Sequence, residues 1–162
     1  MQSYRDKICT AAEAEARVRS WRAAGETIVF ANGCFDILHV GHVRYLRAAA
    51  ELGGRLVVGV NSDAGTRRLK GPARPILPER ARAELVAAVR GVAAVTIFDA
   101  LTVEPLLRRL RPDIHAKGTD YSRETVPEAA VARELGIAIH ITGDPKQHST
   151  RDLLARIAAA GE

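Results

Sequence analysis

Apolar residues follow two alternating rhythms along this chain. Five short runs rich in β-branched and aliphatic residues, at 27–31, 55–61, 93–98, 113–117 and 137–141, read as buried strands. Between them the apolar positions recur at helical spacing. Ala14, Val18 and Trp21 share one face of a helix that Thr10 and Glu13 open as a capping box and Gly25 stops. Val43, Leu46 and Ala50 form a second stripe, ended by Gly53 and Gly54. Pro78 precedes a helix through Leu85 and Val89, and Val103, Leu106 and Leu110 stop before Pro112. Thr125 and Glu128 predict another capping box, closed by Gly136. A last helix is expected to start near Ser149 or Thr150 and to bury Leu153, Leu154 and Ile157.

Strands that alternate with helices across short connections imply parallel pairing with right-handed crossovers. The fold class expected is a doubly wound, Rossmann-like α/β domain with a five-stranded parallel sheet and helices on both faces. Ligands in such folds bind outside the carboxyl ends of the strands, so residues just after each strand are the ones to inspect. At 162 residues the chain fits one domain, an N-terminal helix over 1–26 leading into a core over 27–162. Such a domain buries roughly two thirds of its unfolded surface and needs no covalent staple. Cys9 and Cys34 form no spaced pair, which fits a reducing compartment. Charges interrupt the first residues, and no apolar run approaches a membrane span, so a cytoplasmic protein without a membrane partner is expected. The net charge of +5 favours anionic partners. Its charges are interleaved, however, and aromatics are only 4% of residues, which argues against a base-stacking surface for nucleic acid.

The densest chemistry follows the first strand, in Asn32-Gly33-Cys34-Phe35-Asp36-Ile37-Leu38-His39-Val40-Gly41-His42. Gly33 permits a tight turn, and Gly41 removes a side chain where helix-start amides would approach a phosphate. The three-residue spacing puts His39 and His42 on one side of the incipient helix, placed to donate to phosphate oxygens. The same spacing leaves open a metal triad of Asp36, His39 and His42, or two histidines that only cap the helix. Cys34 has no neighbouring base and reads as a small buried residue. The second strand ends in Asn61-Ser62-Asp63 and enters a basic loop ending at Lys70, which meets a phosphate or is simply solvated. Arg82 serves either a ligand or its neighbours Glu79 and Glu84. Lys117-Gly118-Thr119-Asp120-Tyr121 ends the fourth strand, with a lysine for phosphates and an aspartate for a ribose hydroxyl. Ser149 or Thr150 caps the last helix, and Arg151 in its first turn opposes the helix dipole unless an anion lies nearby.

Taken together, these motifs resemble the cytidylyltransferase-like group of HIGH-motif nucleotidylyltransferases over nearly the whole chain. Within it the segments 35–42, 61–64, 68–71 with Arg74-Pro75, and 117–121 are most similar to the heptose 1-phosphate adenylyltransferases. The resemblance implies transfer of AMP from ATP to a heptose 1-phosphate, giving ADP-heptose for lipopolysaccharide core synthesis. It further implies Mg2+ on the triphosphate rather than a metal held by the protein, pyrophosphate as second product, and a dimer. Carried onto this sequence, His39, His42 and Lys70 become the catalytic residues. Asn32, Gly33, Phe35, Asp36 and Gly41 fall to the nucleotide, with Lys117, Gly118, Asp120, Ser149, Thr150 and Arg151; Asn61, Asp63 and Arg82 fall to the acceptor. Thr119 and Arg151 stand where the family usually has glycine and threonine. Some members carry a fused sugar kinase, for which 162 residues leave no room, so a kinase step is expected elsewhere.

The reaction expected is in-line attack of an acceptor phosphate oxygen on the α-phosphorus. Positioning and charge neutralisation supply the catalysis, because a phosphate monoester is already largely ionised near neutrality, its second pKa being about 6. A CTP-dependent enzyme acting on an alditol phosphate such as glycerol 3-phosphate, and a catalytically silent nucleotide-binding module, are the competing readings.

Overall fold

The computed structural model describes residues 3–145 and 148–161. Its centre is a parallel sheet of five strands: β1 (Ile28–Gly33), β2 (Arg55–Asn61), β3 (Val92–Phe98), β4 (Ile114–Gly118) and β5 (Ala138–Thr142). They lie in the order β3-β2-β1-β4-β5, so the direction of winding reverses between β1 and β4. Among the described residues, seven α-helices cover the sheet or flank its ligand edge: α1 (Ala11–Ala23), α2 (Val40–Ala50), α3 (Asp63–Lys70), α4 (Glu79–Ala87), α5 (Glu104–Leu110), α6 (Ala129–Leu135) and α7 (Thr150–Ala160).

The two-residue period of each strand feeds two separate apolar layers. On β1, Ile28 and Phe30 point to one face with Ala14 and Val18 of α1, the three leucines of α5 and Val131 and Ala132 of α6. Val29 and Ala31 point to the other, against Leu46 and Ala49 of α2 and Ala83, Val86 and Ala87 of α4. An irregular register between Leu56 and Val57 puts Val92 and Val95 of β3 on this second face although they are three residues apart. Strands buried on both faces, as β1 and β2 are, must be apolar throughout and stand out in the sequence, whereas the edge strand β5 is buried only at Thr142.

Local rules account for most boundaries. Thr10 and Glu13 form the expected reciprocal cap on α1, and Gly136 closes α6 with φ 71°. Four expectations are corrected. A 3-10 turn, Tyr4–Lys7, capped by Ser3 and Asp6, precedes α1. The basic segment after β2 is the helix α3, because Ser62 accepts from the Gly65 amide. Thr125 and Glu128 do not form a box: the Thr125 hydroxyl accepts from Ser122 N, and Glu128 turns inward to Lys117. Finally, α7 buries none of its residues, and Ile157 is 63% exposed. Among the described residues, no helix is long and apolar enough to cross a membrane.

Candidate active site

The winding reversal opens a cleft of about 820 Å³ at the carboxyl edge of the sheet. Its walls are the β1–α2 loop, the end of α3, the end of β4 and the start of α7. The β1–α2 loop is strained, since Phe35 and Ile37 adopt left-handed φ of 51° and 52°. For an L-residue that conformation costs about 1–2 kcal/mol. Asp36, between them, holds the loop in place. It is 2% exposed, and its carboxylate accepts from Arg74 Nε at 2.6 Å, Ile76 N at 2.9 Å and Leu77 N at 3.0 Å. Its carbonyl accepts from the Thr150 hydroxyl at 2.7 Å, which ties α7 to the same loop. Burial works to raise the Asp36 pKa, but the amides of Leu77 and Ile76 and the Arg74 guanidinium outweigh it and hold the carboxyl below its ordinary value.

His39 caps α2. Its Nδ1 accepts from Gly41 N at 3.1 Å, while His42 Nδ1 accepts from His39 N at 3.4 Å. The two rings stack with centroids 3.8 Å apart. An Nδ1 that accepts a main-chain hydrogen carries no proton, so each neutral ring keeps its hydrogen on Nε2 and presents a donor there. Gly41 leaves room for this arrangement, because a Cβ there would stand 3.0 Å from His39 Cε1 and the ring would have to shift. A side chain at Gly33 would likewise press on the Phe35 ring at 3.1 Å. The helix cap and the phosphate-facing pair, which the sequence left as alternatives, are thus compatible in one geometry. The metal triad is not formed. Asp36 spends its carboxylate on Arg74 and two amides, and among the described residues no cluster of three His, Cys, Asp or Glu side chains is placed to hold a metal ion.

Asn32, Asn61, Lys70, Lys117, Gly118, Asp120, Ser149, Thr150 and Arg151 all line the same cleft. Lys70 and Arg151 are exposed. Lys117 is buried, its Nζ 3.3 Å from Glu128 and 4.7 Å from the centroid of the Tyr121 ring. A Cβ at Gly118 would meet nothing within 4 Å, so open space lies directly against the β4 main chain. Ser149 accepts from Asp152 N as the α7 cap, and Thr150 commits its hydroxyl hydrogen to Asp36, so the start of α7 offers an anion first-turn amides and the Ser149 O–H.

Arg82 and Asp63 do not join the cleft. Arg82 is fully buried; it donates to the carbonyls of Leu77, Cys34 and Asn61 and to Asp63 Oδ1 at 2.9 Å. This guanidinium is a structural clamp joining α3, α4 and the ends of β1 and β2: four of its five N–H donors are committed to these partners, and it is buried away from the cleft. Sequence reasoning missed Arg74, Glu128, Tyr45, which donates to Ala116 O at 2.8 Å, and Arg44, which pairs with Asp144 at 3.1 Å across the cleft mouth. Arg74 stood in the motif Arg74-Pro75 but no local rule aims it at Asp36; the others carried no signal, since their partners are remote in sequence.

A parallel sheet that opens at its reversal point onto a strained loop and a histidine-capped helix, with lysines and arginines around it, defines a doubly wound α/β domain with its candidate site at the switch point. The sequence profile described as cytidylyltransferase-like matches residues 30–151, and the chain belongs to that family. The "Bifunctional protein HldE" of Methylobacillus flagellatus is 43% identical over 154 residues, 95% of this chain and 32% of the relative. That of Magnetococcus marinus is 44% identical over the same share of each. The chain therefore spans about a third of the length of the curated relatives it matches. A lipopolysaccharide core biosynthesis protein from Thermoplasma volcanium superposes with a TM-score of 0.64 at 29% identity, covering 75% of this chain and all of that one.

Proposed function

We propose that this chain is a nucleotidylyltransferase that transfers AMP from ATP to the phosphate of a heptose 1-phosphate, forming ADP-heptose and pyrophosphate. The observation that carries the reading is the His39–His42 pair at the start of α2, whose Nδ1 atoms both accept main-chain hydrogens, which puts the ring hydrogens on Nε2 in two residues that line the cleft. The nucleotide enters as its Mg2+ complex, the metal travelling on the triphosphate. An acceptor phosphate oxygen attacks the α-phosphorus in line; the new O–P bond forms as the bond to the β-phosphate oxygen breaks, and pyrophosphate departs. No proton has to be removed from the attacking oxygen, so no general base is required.

Charge builds on the α-phosphoryl oxygens and on the leaving pyrophosphate. His39, His42, Lys70, Arg151 and the first-turn amides of α7, Ser149 and Thr150 among them, neutralise it. Lys117 and Asp120, beside the open main chain at Gly118, receive the nucleoside side of the ligand, and Asn61 faces the acceptor. Asn32, Gly33, Phe35, Asp36 and Gly41 shape the loop around the phosphates. Heptose as the acceptor rests on the motif resemblance and on the lipopolysaccharide core protein that shares the fold. The reaction belongs in the cytoplasm, with the chain as a dimer.

The test is a one-pot competition. ATP, CTP, GTP and UTP at equal concentration are offered with Mg2+ and a heptose 1-phosphate, or with glycerol 3-phosphate, and the products are identified by mass spectrometry. ADP-heptose as the dominant product is expected. CDP-glycerol would keep the chemistry and overturn the substrates, and no nucleotide-linked product would leave a binding module.

A further inference from the structure

Beneath the cleft, at the β1–β4 boundary where the winding reverses, lies an imidazole that the reaction above does not use. His115 is fully buried and pairs in register with Phe30, the two rings 5.6 Å apart. Phe30 and Asn32 are two residues apart on β1 and so lie on the same face. Around Phe30 that face is apolar, with Ile28 and Val57 in the same cluster, and the buried Lys117–Glu128 pair lies farther along β4 toward the cleft. A leucine would fill the volume without the cost of burying two ring nitrogens. The ring has one polar contact: Nε2 is 3.0 Å from Asn32 Oδ1, while Nδ1 has no partner.

We propose that His115 is a positioning residue whose Nε2–H fixes the carboxamide of Asn32, so that the Asn32 amide nitrogen donates to a phosphoryl oxygen of the bound nucleotide. The argument begins with the protonation state. Burial, and after it the charge of Lys117, pushes the His115 pKa down to about 3, so the ring is neutral under all working conditions. Of its two tautomers, one leaves a buried N–H without an acceptor at Nδ1, and the other leaves only a lone pair there. Orphaned buried donors are the rarer and costlier of the two, so the hydrogen sits on Nε2 and is donated to Asn32.

The consequence falls on Asn32. A carboxamide exchanges donor and acceptor when it flips by a half-turn, and a strand-end asparagine beside a ligand is otherwise ambiguous between the two. An Nε2–H donor below permits only the orientation with Oδ1 inward. The two amide hydrogens are then directed to the cleft that Asn32 lines, at the strand end that leads into the histidine loop. A phosphoryl oxygen accepts them, whereas a flipped carboxamide would repel it.

The proposal rests on the nucleotidyl-transfer reading, but its test does not need an acceptor. Calorimetric titration with MgATP and with adenosine is run on wild type, His115→Leu, His115→Gln, Asn32→Ala and the His115→Leu/Asn32→Ala double variant, with thermal melts as the folding control. Loss of one oriented hydrogen bond to a charged oxygen is worth about a tenfold weaker Kd. His115→Leu and Asn32→Ala should each weaken MgATP by about that factor and leave adenosine unchanged, and the double variant should be no worse than either. His115→Gln, whose amide nitrogen reaches where Nε2 was, should restore most of the affinity. If the leucine variant does not fold, His115→Met takes its place. Unchanged MgATP affinity in the apolar variant, or additive losses in the double, would each overturn the proposal. Wild type that binds MgATP, with coupled variants, but releases no pyrophosphate would sink the transfer reading and leave this one standing.

Discussion

Asp36 sits among residues whose neighbours do the chemistry, and its own work is to hold the loop that carries them. The carboxylate is bonded to Arg74 and to two amides in a site almost closed to water. Removing one partner of such a pair strands the other and costs about 3–5 kcal/mol, so Asp36→Ala is expected to lower the melting temperature by several degrees and abolish activity. Because the folded-state pKa lies below the unfolded one, this stability is present above the ordinary carboxylate range, about pH 4, and is lost as the pH falls through the lower folded value. Acid unfolding of wild type and Asp36→Asn measured side by side should therefore show the wild-type advantage shrinking only below that pH. Gly41→Ala would push the new methyl into the His39 ring, and a kcat loss of about tenfold or more with an unchanged melting temperature is expected. Arg82→Met separates structure from binding. A clamp predicts a large fall in melting temperature, whereas a substrate-phosphate role would raise KM in a stable protein. The histidine motif was legible because its members are three residues apart and the helix spacing alone brings them together. Arg82 was misread because its first-turn place on a helix says nothing of the three carbonyls that enclose it.

At the scale of elements, the five strands and the helices that cover them could be read from periodicity, since burial on both faces or on one leaves a direct trace in the sequence. The parts that face the ligand could not. α3 was hidden in a run of charges, and its start depends on the single cap of Ser62, which also donates to Asp99. Ser62→Ala is expected to cost about 1 kcal/mol and to loosen Lys70 at the other end of the helix, visible as a raised KM for the nucleotide. The apolar positions of α7 suggested burial, but Leu153 and Leu154 are only half-buried and Ile157 is exposed; the helix is joined to the site through Thr150 and Asp36. Thr150→Val should leave global stability nearly intact, speed amide exchange across 149–153, and weaken MgATP binding, as expected if α7 closes one wall of the phosphate site.

Across the whole molecule, the order of strands matters more than their number. Reversal between β1 and β4 brings together four segments remote in sequence; Asp36 and Thr150, in direct contact, are 114 residues apart. The mixed surface charge with a net +5 fits anionic small ligands gathered in one cleft rather than an extended nucleic-acid track. The family profile spans this assembled site, from the first strand to the start of α7. The most direct check of the account is the initial rate of pyrophosphate release from MgATP and a heptose 1-phosphate, compared between wild type and His39→Ala. Removing one preorganised donor should lower kcat by about 10²–10³, with only the fall of a few degrees in melting temperature that loss of the α2 cap brings. Equal rates in the two proteins, or no release by either with any nucleotide and sugar phosphate, would contradict the assignment of the cleft as a nucleotidyl-transfer site.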